Sequence, residues 1–162
     1  MTQKSTVYIT MGVSGCGKSL IGQKLAAVLN IPFYDGDDFH PIRNVKKMEG
    51  GTPLNDSDRK PWLENLNAQI QQWNLENGAV LACSALKESY RQLLSTNAEV
   101  VFIHLHATKA QILERMNNRK DHFMPSTLLD SQFATLETPK TAISVDVSAS
   151  PDEIIEYIKA NI

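Results

Sequence analysis

The chain lacks the features that mark membrane-spanning, secreted and nucleic-acid-binding proteins. No apolar run approaches the roughly 20 residues that cross a bilayer, and the first ten residues hold no apolar core of a signal peptide. Its 2 cysteines are too few for a disulfide framework, which agrees with a reducing compartment. The 16 Lys and Arg are outnumbered by 18 Asp and Glu, so no basic excess favours a nucleic acid. We therefore expect a cytoplasmic protein with neither a membrane nor a nucleic acid partner.

What the chain does contain is the composition and alternation of a single α/β domain spanning residues 1–162. With 42% hydrophobic residues it is long enough to bury one sizeable core. Apolar runs predict strands at 6–11, 32–34, 80–83, 100–105 and 143–147, and amphipathic spacing predicts helices at 18–29, 58–76, 87–95, 108–118 and 151–159. Segment 43–58 shows no regular period and is predicted to be irregular. Strands that alternate with helices in this way indicate a parallel sheet.

A glycine-rich turn between the first predicted strand and helix has the form GxxxxGKS. Glycines let the backbone curl around phosphate oxygens, and the helix N-terminus adds a partial positive charge, so this turn suits a polyanion. We predict that Lys18 reaches the β- and γ-phosphates of ATP and that the Ser19 hydroxyl ligates Mg²⁺. The predicted nucleotide-binding residues are Gly12, Val13, Ser14, Gly15, Cys16, Gly17, Lys18, Ser19, Leu20 and Arg115.

Three carboxylates follow the second predicted strand, at the sheet edge where ligands bind in α/β proteins. Strand 80–83 leads into Ser84 without the carboxylate that P-loop proteins commonly use for magnesium, so Asp35 is the predicted second magnesium ligand. Asp37 is the predicted base that accepts the proton of a hydroxyl nucleophile, and hence a substrate contact. For Asp38, capping of the next turn is an equal alternative.

Basic residues lie after the second and third predicted strands and again near the end of helix 108–118. The first group, which includes Arg43, Arg59, Lys87 and Arg91, indicates an anionic substrate held by cationic side chains, and the family resemblance given below favours these four over the neighbouring lysines. Residues 117–125 are predicted to form a lid whose Arg119 stabilises the charge of the transferring phosphoryl group. His122 is a candidate substrate contact, with anchoring of the lid as the alternative.

Several motifs, taken in order, resemble those of the gluconokinases. They are GVSGCGKS, DGDDFHP with RN and KM after it, GTPLNDSDRKPWL, CSALKESYR, and HF with SQFATLE, and together they cover about residues 7 to 147. The resemblance implies a shikimate-kinase-like P-loop fold with a five-stranded parallel sheet of order 2-3-1-4-5, flanking helices and a lid. It also implies ATP-dependent phosphorylation of D-gluconate at the 6-hydroxyl, with Mg²⁺ and a homodimer.

The family's site residues carry over where the motifs match. The resemblance supports Asp37 as base and hydroxyl ligand, and Arg43, Ser84, Lys87 and Arg91 as substrate contacts. Two other functions stay open from the sequence alone. One is a kinase for another small hydroxylated anion such as shikimate, and the other is a nucleotide-binding switch, which would need a guanine-specific motif such as NKxD that the chain lacks.

Overall fold

The computed structural model describes residues 5–117 and 126–162. Five parallel strands form one sheet in the order β2-β3-β1-β4-β5, which confirms the strand order that the sequence resemblance implied. The strands are β1 Val7–Met11, β2 Phe33–Asp35, β3 Ala79–Ala82, β4 Val100–His106 and β5 Ile143–Asp146. The predicted lid, with Arg119 and His122, lies almost entirely outside the described residues.

Helices follow the strands and cover both faces of the sheet. They are α1 Lys18–Leu29, α2 Ile42–Glu49, α3 Asp56–Leu75, α4 Glu88–Leu94, α5 Lys109–Asn117, α6 Ser126–Thr135 and α7 Pro151–Ala160, with a 3₁₀ turn at Gly36–Phe39. Helix α7 begins with a capping box, because the Ser150 hydroxyl accepts from the Glu153 amide and the Glu153 carboxylate accepts from the Ser150 amide. In the described part of the chain, no helix is long and apolar enough to cross a membrane.

The hydrophobic core is divided between the two faces of the sheet. Successive residues of β3 belong to opposite layers: Val80 packs with the layer of α1, α5, α6 and α7, and Leu81 packs with the layer of α3 and α4. All four residues of β3 are buried, as expected of a parallel strand covered on both sides. On α3, the predicted apolar stripe is also buried, at Leu63, Leu66, Ile70 and Trp73. This packing fixes the carboxyl ends of β1, β2 and β3 along one edge of the sheet.

Segment 43–58 is not irregular throughout, so that prediction was wrong. Residues 42–49 form α2, which begins after Pro41, buries Asn44 and ends at Gly50. The glycines at 50 and 51 and the proline at 53 interrupt only the second half of the segment. Helix α3 begins two residues earlier than predicted, because Asn55 caps it and Asp58 completes a capping box. The sequence analysis also missed α6.

Candidate active site

The phosphate loop has the backbone geometry that the GxxxxGKS pattern predicts. Gly12 has φ +143°, and a Cβ atom there would lie 2.7 Å from the carbonyl oxygen of Leu105. Gly17 has φ +98° and immediately precedes α1, so the loop passes into the helix through a left-handed residue. The loop therefore depends on glycine at both ends and directs the N-terminus of α1 towards the space it encloses.

Lys18 is held inside the loop by main-chain carbonyl groups. Its Nζ donates to the carbonyl oxygens of Gly12 at 3.0 Å and Val13 at 3.1 Å. The Thr10 hydroxyl, from buried strand β1, donates to the carbonyl oxygen of Lys18 at 3.0 Å. The ammonium group consequently lies at the cleft wall. An anion bound in the cleft could replace the carbonyl oxygens as its hydrogen-bond partner.

Ser19 and Asp35 lie together, as the magnesium prediction requires. The Ser19 hydroxyl donates to Oδ2 of Asp35 at 3.1 Å, and Oδ1 of Asp35 accepts from the Asp37 amide at 3.0 Å. Hard oxygen donors beside a phosphate loop are the ligands that Mg²⁺ prefers. The described residues contain no cluster of three or more His, Cys, Asp or Glu for a metal. A magnesium ion here would be coordinated by Ser19, Asp35, water and the nucleotide.

Asp37 projects into the same cleft, with its side chain 81% exposed. The pKa of its carboxyl group is raised, mainly because the protein around the cleft floor desolvates it and further because Asp35 and Asp38 repel the added charge, while Lys18 opposes the rise. A carboxylate with a raised pKa is a better proton acceptor than an ordinary aspartate. The location of Asp37 in the cleft and its raised pKa agree with the predicted role as general base, which stays a prediction.

Two of the predicted substrate-binding cations lie around Tyr90, and of these Arg59 lines the cleft whereas Lys87 does not. Arg59 Nη1 donates to the Tyr90 hydroxyl at 2.9 Å, and its guanidinium lies 5.4 Å from the centre of the Tyr90 ring. Lys87 Nζ pairs with Asp56 at 3.0 Å, and the Tyr90 hydroxyl donates to the same carboxylate. The pKa of Asp56 is lowered, first by the Tyr90 hydrogen bond and then by Lys87. The cations are thus preorganised by neighbours on α3 and α4.

The remaining substrate candidates differ in their access to the cleft. Ser84 lines it, directly after β3. Arg43 is exposed on α2 and does not line the cleft. Arg91 is 4% exposed and does not line the cleft, and its guanidinium donates to the carbonyl oxygens of Ala85 and Glu137 and to Glu88. The structure gives Arg91 a structural role, and a direct substrate contact for it stays a prediction.

Arg115 and Leu20 flank the phosphate loop. Arg115 Nη2 donates to the carbonyl oxygen of Val147 at 2.8 Å, and Nη1 donates to that of Cys16 at 3.4 Å. Leu20 lines the cleft and is 44% exposed. Cys16 and Val13 are buried, so these two loop residues offer a ligand mainly their backbone. Arg115 and Leu20, which were both predicted to bind the nucleotide, thus lie beside the phosphate loop.

The cleft wall below Asp37 contains a buried polar group that the sequence analysis did not single out. The His40 side chain is 3% exposed and stacks on Trp62, with 4.0 Å between ring centres. Asn44, fully buried, donates from Nδ2 to His40 Nδ1 at 3.2 Å and to the Asp58 carbonyl oxygen at 2.8 Å. Asn44 Oδ1 has no partner among the described residues, and an unsatisfied buried acceptor costs about 1–3 kcal/mol. Stability alone does not account for this asparagine.

The chain is similar to gluconokinases over most of its length. It is 41% identical to a probable gluconokinase from Xenopus tropicalis, over 96% of this chain and 93% of the relative. It is 48% identical to the thermosensitive gluconokinase of Escherichia coli K12, over 82% of this chain and 72% of the relative. A crystal structure of a gluconokinase from Sinorhizobium meliloti matches with a TM-score of 0.88 at 40% identity, covering 98% of this chain and 91% of that one. The chain belongs to the gluconokinase family.

This family lies within the wider group of shikimate-kinase-type P-loop kinases. The shikimate kinase family model matches residues 14–161. Shikimate kinase from Aquifex aeolicus shares the fold with a TM-score of 0.61, at 21% identity and over 96% of this chain and 94% of that one. The identification as a gluconokinase-family kinase therefore agrees with the sheet order and the phosphate loop, while the distant match establishes the fold only.

Two features of this gluconokinase-family site went unrecognised in the sequence analysis. One is the His40–Asn44 pair, and the other is Gln132 of α6, whose Oε1 accepts from the Ser14 amide at 2.7 Å and whose Nε2 donates to the Ser14 hydroxyl at 3.1 Å. The motifs DGDDFHP and SQFATLE contain His40 and Gln132, but a motif alone gives them no partner. The partner of Gln132 lies 118 residues away in the sequence, so only the fold reveals the contact.

Proposed function

We propose that this protein transfers the γ-phosphoryl group of ATP to the 6-hydroxyl of D-gluconate, giving 6-phospho-D-gluconate and ADP. One observation carries the proposal: Lys18 and Asp37 line one cleft, which Arg59 also lines from the acceptor side. Phosphoryl transfer needs a cationic cradle for the phosphates and a proton acceptor for the hydroxyl, and an anionic sugar acid needs cations beyond that acceptor. The residues that line the cleft can supply these three elements.

In the proposed reaction, Asp37 accepts the proton of the 6-hydroxyl while the hydroxyl oxygen forms a bond to the γ-phosphorus. The bond between the γ-phosphorus and the β–γ bridging oxygen breaks, and ADP leaves with that electron pair. Lys18 and the amides of the phosphate loop stabilise the negative charge on the phosphate oxygens. Ser19 and Asp35 would hold Mg²⁺, which supplies charge neutralisation at the β- and γ-phosphates. Arg119, outside the described residues, is proposed to add positive charge from the lid.

The acceptor side is proposed to hold gluconate through its carboxylate and hydroxyl groups. Arg59 and Ser84 line the cleft and support this part of the proposal, and Lys87, which contacts the same Tyr90 ring as Arg59, is proposed to act with them. We keep Arg43, Arg91 and His122 as proposed substrate-binding residues on the family resemblance. A homodimer and a cytoplasmic location also stay predictions, which light scattering of the purified protein and cell fractionation would test.

A substrate panel tests the proposal directly. Purified protein with ATP and Mg²⁺ is offered gluconate, shikimate and other sugar acids, and ADP release is followed by a coupled assay. We expect ADP release that depends on gluconate, with ³¹P and ¹³C NMR placing the new phosphate ester at C6. ADP release that depends on shikimate instead would assign the protein to another acceptor. Nucleotide binding without any acceptor-dependent ADP release would contradict a kinase role in small-molecule metabolism.

A further inference from the structure

The hydrogen bonds around Asn44 fix the proton position on His40. The carbonyl oxygen of Asp58 can only accept a hydrogen bond, so the Asn44 atom 2.8 Å away must be the amide nitrogen. That same nitrogen lies 3.2 Å from His40 Nδ1, and its second hydrogen is directed there. Because Nδ1 faces a donor, Nδ1 is the acceptor, and the neutral imidazole carries its proton on Nε2.

The imidazole is held neutral and rigid in this state. The pKa of His40 is lowered to about 4, mainly by burial and additionally by the positive charge of Arg59. The ring is clamped by its stacking on Trp62, whose Nε1 donates to the carbonyl oxygen of Gly36 at 2.7 Å. Two fixed elements, α2 through Asn44 and α3 through Trp62, thus determine where the Nε2–H group is aimed.

The Nε2 atom of His40 lies near Asp37 without forming a hydrogen bond to it. Nε2 lies 3.9 Å from Oδ1 of Asp37, which is too far for a direct hydrogen bond. A hydroxyl oxygen placed to one side of the line that joins these atoms, in the cleft that both residues line, can lie within hydrogen-bond distance of both, accepting from Nε2–H and donating to Oδ1. No described residue accepts a hydrogen bond from Nε2. The pair therefore forms a donor and an acceptor spaced for one hydroxyl group.

We propose that His40, oriented by Asn44, is a specificity-determining residue that binds one non-reacting hydroxyl of the acceptor substrate jointly with Asp37. The hydroxyl is a non-reacting one because an N–H donor on the attacking oxygen would withdraw electron density from the nucleophile. This inference rests on the proposed function, since it takes gluconate as the acceptor. The amide of Asn44 acts as a positioning group that keeps the Nε2–H tautomer in place.

Two His40 variants and one control separate this role from a structural one. His40→Phe keeps a ring to stack on Trp62 and removes the donor, whereas His40→Gln replaces the ring but retains an N–H near the Nε2 position. His106→Gln changes a histidine on β4 that does not line the cleft. We expect His40→Phe to lower kcat/KM for gluconate about tenfold with KM for ATP changed less than twofold. His40→Gln should recover most of the loss, and His106→Gln should match the wild type.

Substrate analogues provide a measurement that His40→Phe would leave unchanged if the role of His40 were purely structural. Wild-type protein and His40→Phe are compared on four gluconates that each lack one hydroxyl, at C2, C3, C4 or C5. The wild type should discriminate about tenfold against the analogue without the shared hydroxyl, and His40→Phe should not discriminate against that one analogue. If His40→Phe retains the full wild-type discrimination against all four, or matches the wild type on gluconate, the proposal is wrong.

A measurement of the tautomer applies even if His40→Phe does not fold. In the ¹⁵N NMR spectrum of labelled wild-type protein, the signals missing from His40→Gln identify His40 among the 4 histidines. We expect a protonated Nε2 and an unprotonated Nδ1 at neutral pH, and a dominant Nδ1–H tautomer would overturn the proposal. A wild-type protein without gluconate-dependent ADP release would instead remove the proposed function, a result distinct from an unaffected variant of an active enzyme.

Discussion

The phosphate side and the acceptor side of the cleft are built in different ways. The phosphate side comes from one contiguous turn between β1 and α1, and its ligand-facing groups are mostly main-chain amides plus Lys18 and Ser19. The acceptor side is assembled from the end of β2, from α2 and α3 and from the residues after β3, which lie far apart in the sequence. Its functional groups are side chains held by other side chains, as in the contact of Arg59 with Tyr90.

This difference indicates how the specificity for the acceptor substrate can change while the binding of the nucleotide stays the same. A cradle made of main-chain amides tolerates little variation, because its shape depends on glycines such as Gly12 rather than on replaceable side chains. A pocket made of side chains can acquire a new acceptor by exchanging a few of them while the phosphate loop stays intact. Variants on the two sides should therefore differ in their effect on nucleotide binding.

The largest expected effect belongs to Asp37→Asn on the acceptor side. The amide cannot accept the proton of the substrate hydroxyl, so kcat should fall by about 10²–10⁴-fold. ATP binding should persist, because the phosphate loop is untouched and a repelling carboxylate near Lys18 is lost. Steady-state kinetics give the first quantity and calorimetric titration of ATP the second. Near-normal kcat would remove Asp37 from the mechanism.

On the phosphate side, Lys18→Ala should weaken both transfer and nucleotide binding. Loss of the ammonium removes charge stabilisation at the phosphates, and we expect kcat to fall about 10²–10³-fold. The variant should also lower ATP affinity, in contrast to Asp37→Asn. The same kinetic and calorimetric measurements apply to both variants. If Lys18→Ala changes only KM for gluconate, the division of the cleft into two sides is wrong.

Arg91→Met tests whether a buried cation that does not line the cleft contributes mainly to stability. Removal of the guanidinium leaves the buried carbonyl oxygen of Ala85 and the partly buried one of Glu137 without this donor. We expect the free energy of unfolding to fall by about 2–4 kcal/mol. Arg43→Met, on an exposed residue, should change stability by less than about 0.5 kcal/mol. Urea denaturation measures both, and equal stability of the two variants would contradict the structural role.

These two sides also differ in how far the sequence predicts them. The phosphate loop is local, so the glycine spacing and the flanking strand and helix were sufficient to identify Lys18 and Ser19. The sheet order came from the family resemblance and was confirmed. Helix α2 was missed because its few apolar positions lie next to glycines and a proline that end it. Helix α6 was missed because no period over 126–135 was recognised in the sequence.

On the acceptor side, residue type alone could not distinguish cations that line the cleft from cations that are buried elsewhere. Arg59 and Arg91 have the same charge and lie in equally convincing motifs, yet Arg59 lines the cleft and Arg91 is buried and does not line it. The difference arises from the packing of α4 against α3, which no local pattern encodes. His40 was passed over for the same reason, since its role depends on Asn44 and Trp62, which come from two different helices.

The smallest expected effect comes from Gln132→Ala, which tests a contact from a distant helix to the phosphate side. Gln132 binds both the amide and the hydroxyl of Ser14, so its loss should loosen the loop and raise KM for ATP up to about fivefold, a change of about 1 kcal/mol. KM for gluconate should change less than twofold. Gln132→Glu should be worse than the alanine variant, because it places negative charge beside the phosphates. Gln72→Ala, an exposed pair with Glu76 on α3, serves as the control and should match the wild type. An unchanged KM for ATP in both Gln132 variants would mean that the loop keeps its shape without the contact from α6. The phosphate side would then depend only on the contiguous segment that forms the loop.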